Sequence, residues 1–265
     1  MAQVTYLGVA GLLPEHIKPV GEYYATLVKG MHNPPVLFFG LQTSRKHLLG
    51  EQINPVYTGR MNSLAQINDA VSEMRDIARC EIIIHYNPSG GYNLPGARDQ
   101  ISEIKRIEGV AGIQWNGFST SKRQARANMI PFHDMESYGF SILQIGRIDF
   151  LKHNVFAHKI CDGVFQKPNT HLLFDNSGGR GTEIDVAKVS KWLKTLRASH
   201  NKLGLAISGG FSPYNVVRIV RQIQEQAGIS NWNISIDAEG RLFTDGKFDP
   251  NKAIQFLGTA IQLYK

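Results

Sequence analysis

The residues best suited to chemistry cluster in the carboxyl half of the chain. The stretch LLFDNSGGRGTEID (172–185) sets Asp175 directly after an apolar run and follows it with Gly178, Gly179 and Gly181. A carboxylate at the end of a buried run is costly unless a partner meets it. Glycines after it let backbone approach a ligand closely. The pattern suits an acid, or a hydrogen-bonding carboxylate, beside a substrate loop; the alternative is an Asp that caps its own loop. A second stretch, AISGGFSPYNV (206–216), leaves the amides of Ser208, Gly209 and Gly210 uncovered just before a helix start, with Ser212 as N-cap and Pro213 as first residue. Free amides at the positive end of a helix suit a phosphate or another anion. A plain tight turn is the alternative. A third, SIDAEGRLFTDGKFDP (235–250), carries Asp237 and Glu239 before Gly240. Two carboxylates repel a phosphate unless a cation pairs with them, and Arg241 and Lys247 are the candidates.

The amino-terminal half offers scattered groups. His85 ends one apolar run, Gln114 and Asn116 end another, and Arg147 follows a third. Arg45 lies just past the run 35–41. The nine histidines show no HxH or HExxH spacing, so no metal site is expected. Neither a GxSxG elbow nor a GxxxxGK[ST] loop is present, which removes serine-hydrolase and P-loop chemistry.

These groups need a scaffold that gathers them. Short, continuous apolar runs recur at 4–10, 35–41, 81–87, 110–117, 140–146, 171–177, 203–210 and 233–240. Continuous rather than alternating runs read as strands covered on both faces. Helical patterns lie between them at 59–80, 97–109, 184–200, 212–228 and 249–264. Asn62 or Ser63 and Asp185 are N-cap candidates, Gly228 is a stop, and Asp249–Pro250 opens the last helix. Strand–helix alternation of this kind implies parallel units. With 265 residues the pattern fits a single (β/α)8 TIM barrel spanning 1–265. An open doubly wound sheet is the main alternative, but its G-x-G-x-x-G fingerprint is absent. In a barrel the candidate residues sit at the carboxyl ends of strands, where such folds build their sites. The loop-like stretch 41–60 would border that mouth, as a lid or as an ordered loop.

Bulk properties narrow the class. Only two cysteines, Cys80 and Cys161, argue against a disulfide framework and fit a reducing cytoplasm. No apolar stretch has membrane-spanning length. The net charge of +7 raises nucleic acid as a partner, yet SKRQAR (121–126) is the only dense basic cluster, so a small anionic or sugar-containing ligand is preferred.

From His171 onward the chain resembles phosphoribosylanthranilate isomerase. LLFDNSGGRG corresponds to that family's Leu-Leu-Asp and Gly-rich loop, SGGFSPYNV to its Gly-Gly and Pro-x-Asn-Val helix start, and AEG with DGKFDP to its strand-8 region. GIQWNG (112–117) is similar to its Val-Gln-Leu-His-Gly, and Thr43-Ser44-Arg45 to its Ser-Pro-Arg. The resemblance implies an Amadori rearrangement of a phosphoribosylamine with no external cofactor. Asp175 would be the general acid at the ring oxygen, and Gly209, Gly210 and Gly240 would hold the phosphate. Arg45 would lie near the anthranilate carboxylate. Four positions depart from the pattern: Leu7 stands where the family's strand-1 Cys base would be, Ala238 and Glu239 replace the strand-8 serines, and Asn116 stands at the strand-4 His position. A general base supplies about 10²–10⁴-fold. His85 is the substitute base if catalysis is retained. A catalytically silent barrel that binds a nucleotide-like ligand, or serves as an interaction or regulatory protein, is the other reading.

Overall fold

A computed structural model describes residues 4–88, 96–118, 139–145, 169–175, 177, 181–199, 204–229 and 234–265. Its strands are β1 (Tyr6–Ala10), β2 (Val36–Ser44), β3 (Cys80–Asn87), β4 (Val110–Phe118), β5 (Phe140–Ile145), β6 (Thr170–Asp175), β7 (Gly204–Ser208) and β8 (Ser235–Ala238). All pair in parallel with their neighbours in sequence, and β8 returns to β1, so the sheet closes as an eight-stranded barrel. The open-sheet alternative is thereby excluded. Each of the apolar runs is a strand.

The runs are continuous because both faces of every strand are covered. Leu7, Val9, Ile82, Ile84, Ile113, Trp115, Leu172 and Phe174 point outward into the large core beneath the helices. Tyr6, Phe38, Ile83, Ile142, Leu173 and Ala206 form a separate cluster inside the barrel. The two-residue alternation of strand side chains produces this division.

The helices are α1 (Ile17–Leu27), α2 (Arg45–Leu48), α3 (Pro55–Thr58), α4 (Leu64–Met74), α5 (Ala97–Lys105), α6 (Val186–Ser199), α7 (Val216–Ala227) and α8 (Pro250–Ala260). Local chemistry explains their ends. At α4 the Ser63 hydroxyl accepts from the Gln66 amide at 3.3 Å while the Gln66 side chain accepts from the Ser63 amide at 3.0 Å, a reciprocal capping box. Asp185 accepts from the Lys188 amide at 3.0 Å. Asp249 accepts from Asn251 and Lys252 ahead of Pro250 at the first position of α8. Gly228 closes α7 with φ of 68°.

Three elements differ from the sequence pattern. The helix placed at 59–80 is shorter: it starts at Leu64 after the Ser63 cap and ends at Met74, and the chain then turns, with Arg79 at φ of 64°, into β3. The helix placed at 212–228 starts at Val216, not at Ser212: residues 213–215 form a turn in which Asn215 Oδ1 accepts from the Ser212 amide at 2.8 Å. Helix α1 was not among the periodic segments, because Pro19 and Gly21 interrupt a pattern whose Ile17, Val20 and Tyr24 are nonetheless buried.

Candidate active site at the barrel mouth

The inward positions near the carboxyl ends of the strands are polar almost all the way round. Going round from β2 they are Gln42, His85, Gln114, Gln144, Asp175, Ser208 and Asp237, with Gly8 and Ala10 on β1. The register places Asp175, Ser208 and Asp237 opposite one another across β6, β7 and β8. It places Gln42, His85 and Gln114 opposite one another across β2, β3 and β4.

Asp175 is 4% exposed. Its Oδ1 accepts from the amide and the hydroxyl of Ser177, each at 2.8 Å, and its Oδ2 accepts from the Gln144 amide nitrogen. The carboxyl therefore caps its own loop and also faces the mouth. These readings coexist because a carboxylate has two oxygens and several lone pairs.

Asp237 is equally buried, and the Ala238 amide donates to it. Burial first, then the nearby Glu239 and Asp175 carboxyls, push its pKa well above the usual carboxylate range. It is a neutral acid below that raised value. The carboxyl lies against Gly8, where an added Cβ would stand 3.1 Å from Asp237 Cγ. It is thus set inside the barrel wall beside β1. Glu239 is also raised by burial, an effect opposed by hydrogen bonds from Gln42 and Arg60.

Arg60 is a site residue that the sequence did not flag. Its Nη1 meets Glu239 Oε1 at 3.0 Å, its guanidinium lies 3.9 Å above the Phe243 ring, and the residue is only 8% exposed. Nothing in the local pattern of the 41–60 stretch marks it, since its partners are distant in sequence. That stretch is ordered structure: β2 runs on to Ser44, α2 and α3 follow, and Asn62 ties its end to the carbonyls of Leu12 and Gln42. Arg45 lies at the rim in α2, paired with Glu51 at 3.2 Å.

His85 is 4% exposed, and burial lowers its pKa to about 3. Its Nδ1 meets Gln114 Nε2 at 3.3 Å, and Gln114 Nε2 also donates to Asn116 Oδ1 at 3.1 Å. A neutral ring accepting at Nδ1 carries its proton on Nε2. Space for the ring comes from Gly40, where an added Cβ would lie 2.5 Å from Nε2.

The turn after β7 has Gly209 at φ of 142° and Gly210 at φ of 60°. A Cβ on Gly210 would stand 2.7 Å from the carbonyl oxygens of Gly181 and Thr182. Close packing against the loop after β6 thus requires this glycine, whatever the turn binds. Gly240 opens a 3-10 turn, Gly240–Leu242. The next residue, Arg241, donates from Nε to Gly181 O at 3.0 Å. This brings one guanidinium beside the Gly181 and Gly210 backbones. Gly178, Gly179 and Arg147 lie outside the described residues, as does the 121–126 basic cluster.

Position 7 on β1 needs correction. Leu7 faces the helices, and the inward positions are Tyr6, Gly8 and Ala10. At the mouth end of β1 neither Gly8 nor Ala10 can take a proton. The mouth end of β1 is therefore formed by Gly8 and Ala10, not by Leu7.

The family model of N-(5'phosphoribosyl)anthranilate (PRA) isomerase matches residues 128–258. A solved phosphoribosyl anthranilate isomerase in complex with reduced 1-(o-carboxyphenylamino)-1-deoxyribulose 5-phosphate superposes with a TM-score of 0.59 at 11% identity, covering 97% of this chain and 98% of that one. The chain is a phosphoribosylanthranilate isomerase-like (β/α)8 barrel. The Thermotoga maritima isomerase, solved as monomers, superposes on this isomerase-like barrel with a TM-score of 0.57 at 11% identity, covering 97% and 98%. The tryptophan synthase alpha chain of Legionella pneumophila subsp. pneumophila gives 0.56 at 14%, covering 98% and 91%. Comparison with the curated proteins finds no match. Among the described residues of the isomerase-like barrel, no helix is long and apolar enough to cross a membrane. No group of three or more His, Cys, Asp or Glu among them could hold a metal ion.

Proposed function

We propose that residues 1–265 form one barrel domain that binds, and isomerises, a ribose- or phosphoribose-containing small molecule in the cytoplasm, without an external cofactor. The observation that carries this reading is Asp175: a buried carboxyl on the inward face at the end of β6, held by Gln144 and Ser177. Fixed in this way, it serves as the acid at a sugar ring oxygen. The Ser208–Gly210 turn, Gly181 and Gly240 hold an anion, with Arg241 as countercharge. Gln114 and Asn116 orient the sugar, and Asp237 lines the wall beside Ser208. Gly178, Gly179 and Arg147 complete the rim, and Arg45 holds the far end of the ligand. His85 is the base. Its free-base form is kept by burial, so it needs a proton made acidic by the iminium that ring opening creates.

A second reading is a silent, ligand-binding barrel with an interaction or regulatory role. It is favoured by a specific observation: β1 offers only Gly8 and Ala10, and His85 Nδ1 is already engaged by Gln114. Complementation of a strain lacking phosphoribosylanthranilate isomerase, with the purified protein assayed on phosphoribosylanthranilate, separates the two. Growth that depends on Asp175 excludes the silent barrel. Turnover unchanged in Asp175→Asn removes the acid role.

A further inference from the structure

Among the described residues the mouth is rich in acceptors. Asp175, Asp237 and Glu239 bring three carboxyls together, and their mutual influence is seen in the raised pKa of Asp237. Among the described residues of the floor, Arg60 is the cation that meets them. Two further acceptors lie bare in the same floor. Gln42 Oε1 and Gln114 Oε1 are buried and have no hydrogen-bond partner. Gln42 is 7% exposed and Gln114 2% exposed, and both occupy inward positions on the strands flanking β3. Their amide nitrogens are already spent, that of Gln42 on Glu239 and that of Gln114 on His85 and Asn116. The carbonyl oxygens therefore remain for whatever enters.

A buried acceptor left empty keeps its desolvation cost with nothing to offset it. A site built with several of them is complementary to a ligand rich in N–H and O–H donors. An aryl carboxylate would instead add acceptors and negative charge to a floor that already has both in excess.

We propose that the ligand of this mouth is an amino sugar, a polyol carrying a free basic amine. The ammonium lies against the carboxyls of Asp175, Asp237 and Glu239, and ring hydroxyls donate to Gln42 Oε1 and Gln114 Oε1. This rests on the mouth being a sugar site, as proposed above, and names the class of sugar. The substitution of Glu239 for the family-like serine then has a chemical purpose: it moves the strand-8 side from phosphate toward a cation.

Titration calorimetry of the full-length protein with four probes tests it: D-glucosamine, N-acetyl-D-glucosamine, D-glucose and D-ribose 5-phosphate, each at low and high salt. The expected result is saturable glucosamine binding at least tenfold tighter than glucose or the N-acetyl sugar, weakened by salt. Gln114→Leu and Gln42→Leu should each lower that affinity at least fivefold. Thermal unfolding of each variant shows whether it is folded, and the four-probe comparison on the natural protein stands without them. Equal binding of glucose and glucosamine overturns the proposal. Binding of ribose 5-phosphate alone also overturns it, while leaving the phosphoribose reading intact. Glucosamine binding without ribose 5-phosphate supports it and removes the anion site instead. Binding of none overturns both.

Discussion

The carboxyl of Asp237 occupies the volume that any side chain at residue 8 would need, with Asp237 Cγ 3.1 Å from the Cβ position of Gly8. Residues 229 positions apart thus specify each other across the seam where β8 closes on β1. Gly8→Ala should destabilise the protein by about 1–3 kcal/mol, the usual cost of overpacking. Adding Asp237→Ala should recover most of that loss. Urea unfolding of the two single variants and the double variant measures the coupling.

Asp237 predicts an unusual pH response. Its folded pKa is raised, so its contribution to stability is fully present below the unfolded value and is lost as pH rises through the folded value. At neutral pH the unfolded chain gains by ionising this group. Asp237→Asn should therefore raise stability at pH 7 relative to the natural protein and narrow the gap at pH 4. A variant less stable at pH 7 than at pH 4, by as much as the natural protein, would show that this carboxyl is not the source.

His85 works in the opposite sense. Its folded pKa of about 3 lies below the unfolded value, so the unfolded chain takes up the proton first as pH falls. The contribution is intact above roughly pH 6.5 and is lost on descending toward pH 3. His85→Gln should remove roughly 3 kcal/mol of acid sensitivity between pH 7 and pH 4. His171, lowered to about 4 at the floor of the barrel, retains its own share. Chemical denaturation at the two pH values gives the slopes directly.

The Arg60–Glu239 pair joins the segment before α4 to the end of β8. Removing one partner strands a largely buried charge. Arg60→Met should cost about 3–5 kcal/mol, whereas Arg60→Met with Glu239→Leu should be close to neutral. If the single and double variants lose the same stability, the pair does not act as a unit.

Gly210→Ala should fail for two reasons: φ of 60°, and backbone of Gly181 and Thr182 at 2.7 Å. A loss of more than about 1 kcal/mol is expected, since a positive φ adds to the steric conflict. Loss of ligand binding in this variant alone would not identify an anion site. Arg241→Ala tests that site, because it removes the countercharge and leaves the turn unstrained.

The sequence by itself determined the barrel. Strands that are covered on one side by helices and on the other by the barrel interior must be apolar throughout, and this leaves continuous runs such as EIIIHY and HLLF. It also marked Asp175 and the glycines, because a carboxyl and a flexible loop at a strand end stand out against an apolar run. Tertiary structure decided the rest. Whether Leu7 or Gly8 faces the mouth is a matter of register, which pairing with β2 and β8 fixes and composition does not. Arg60 became a site residue only because the fold brings it to Glu239. The raised pKa of Asp237 arises from burial beside Asp175 and Glu239, two carboxyls that share its mouth only once the strands lie side by side. Electrostatic environment depends on distance in space, and distance along a chain does not report it.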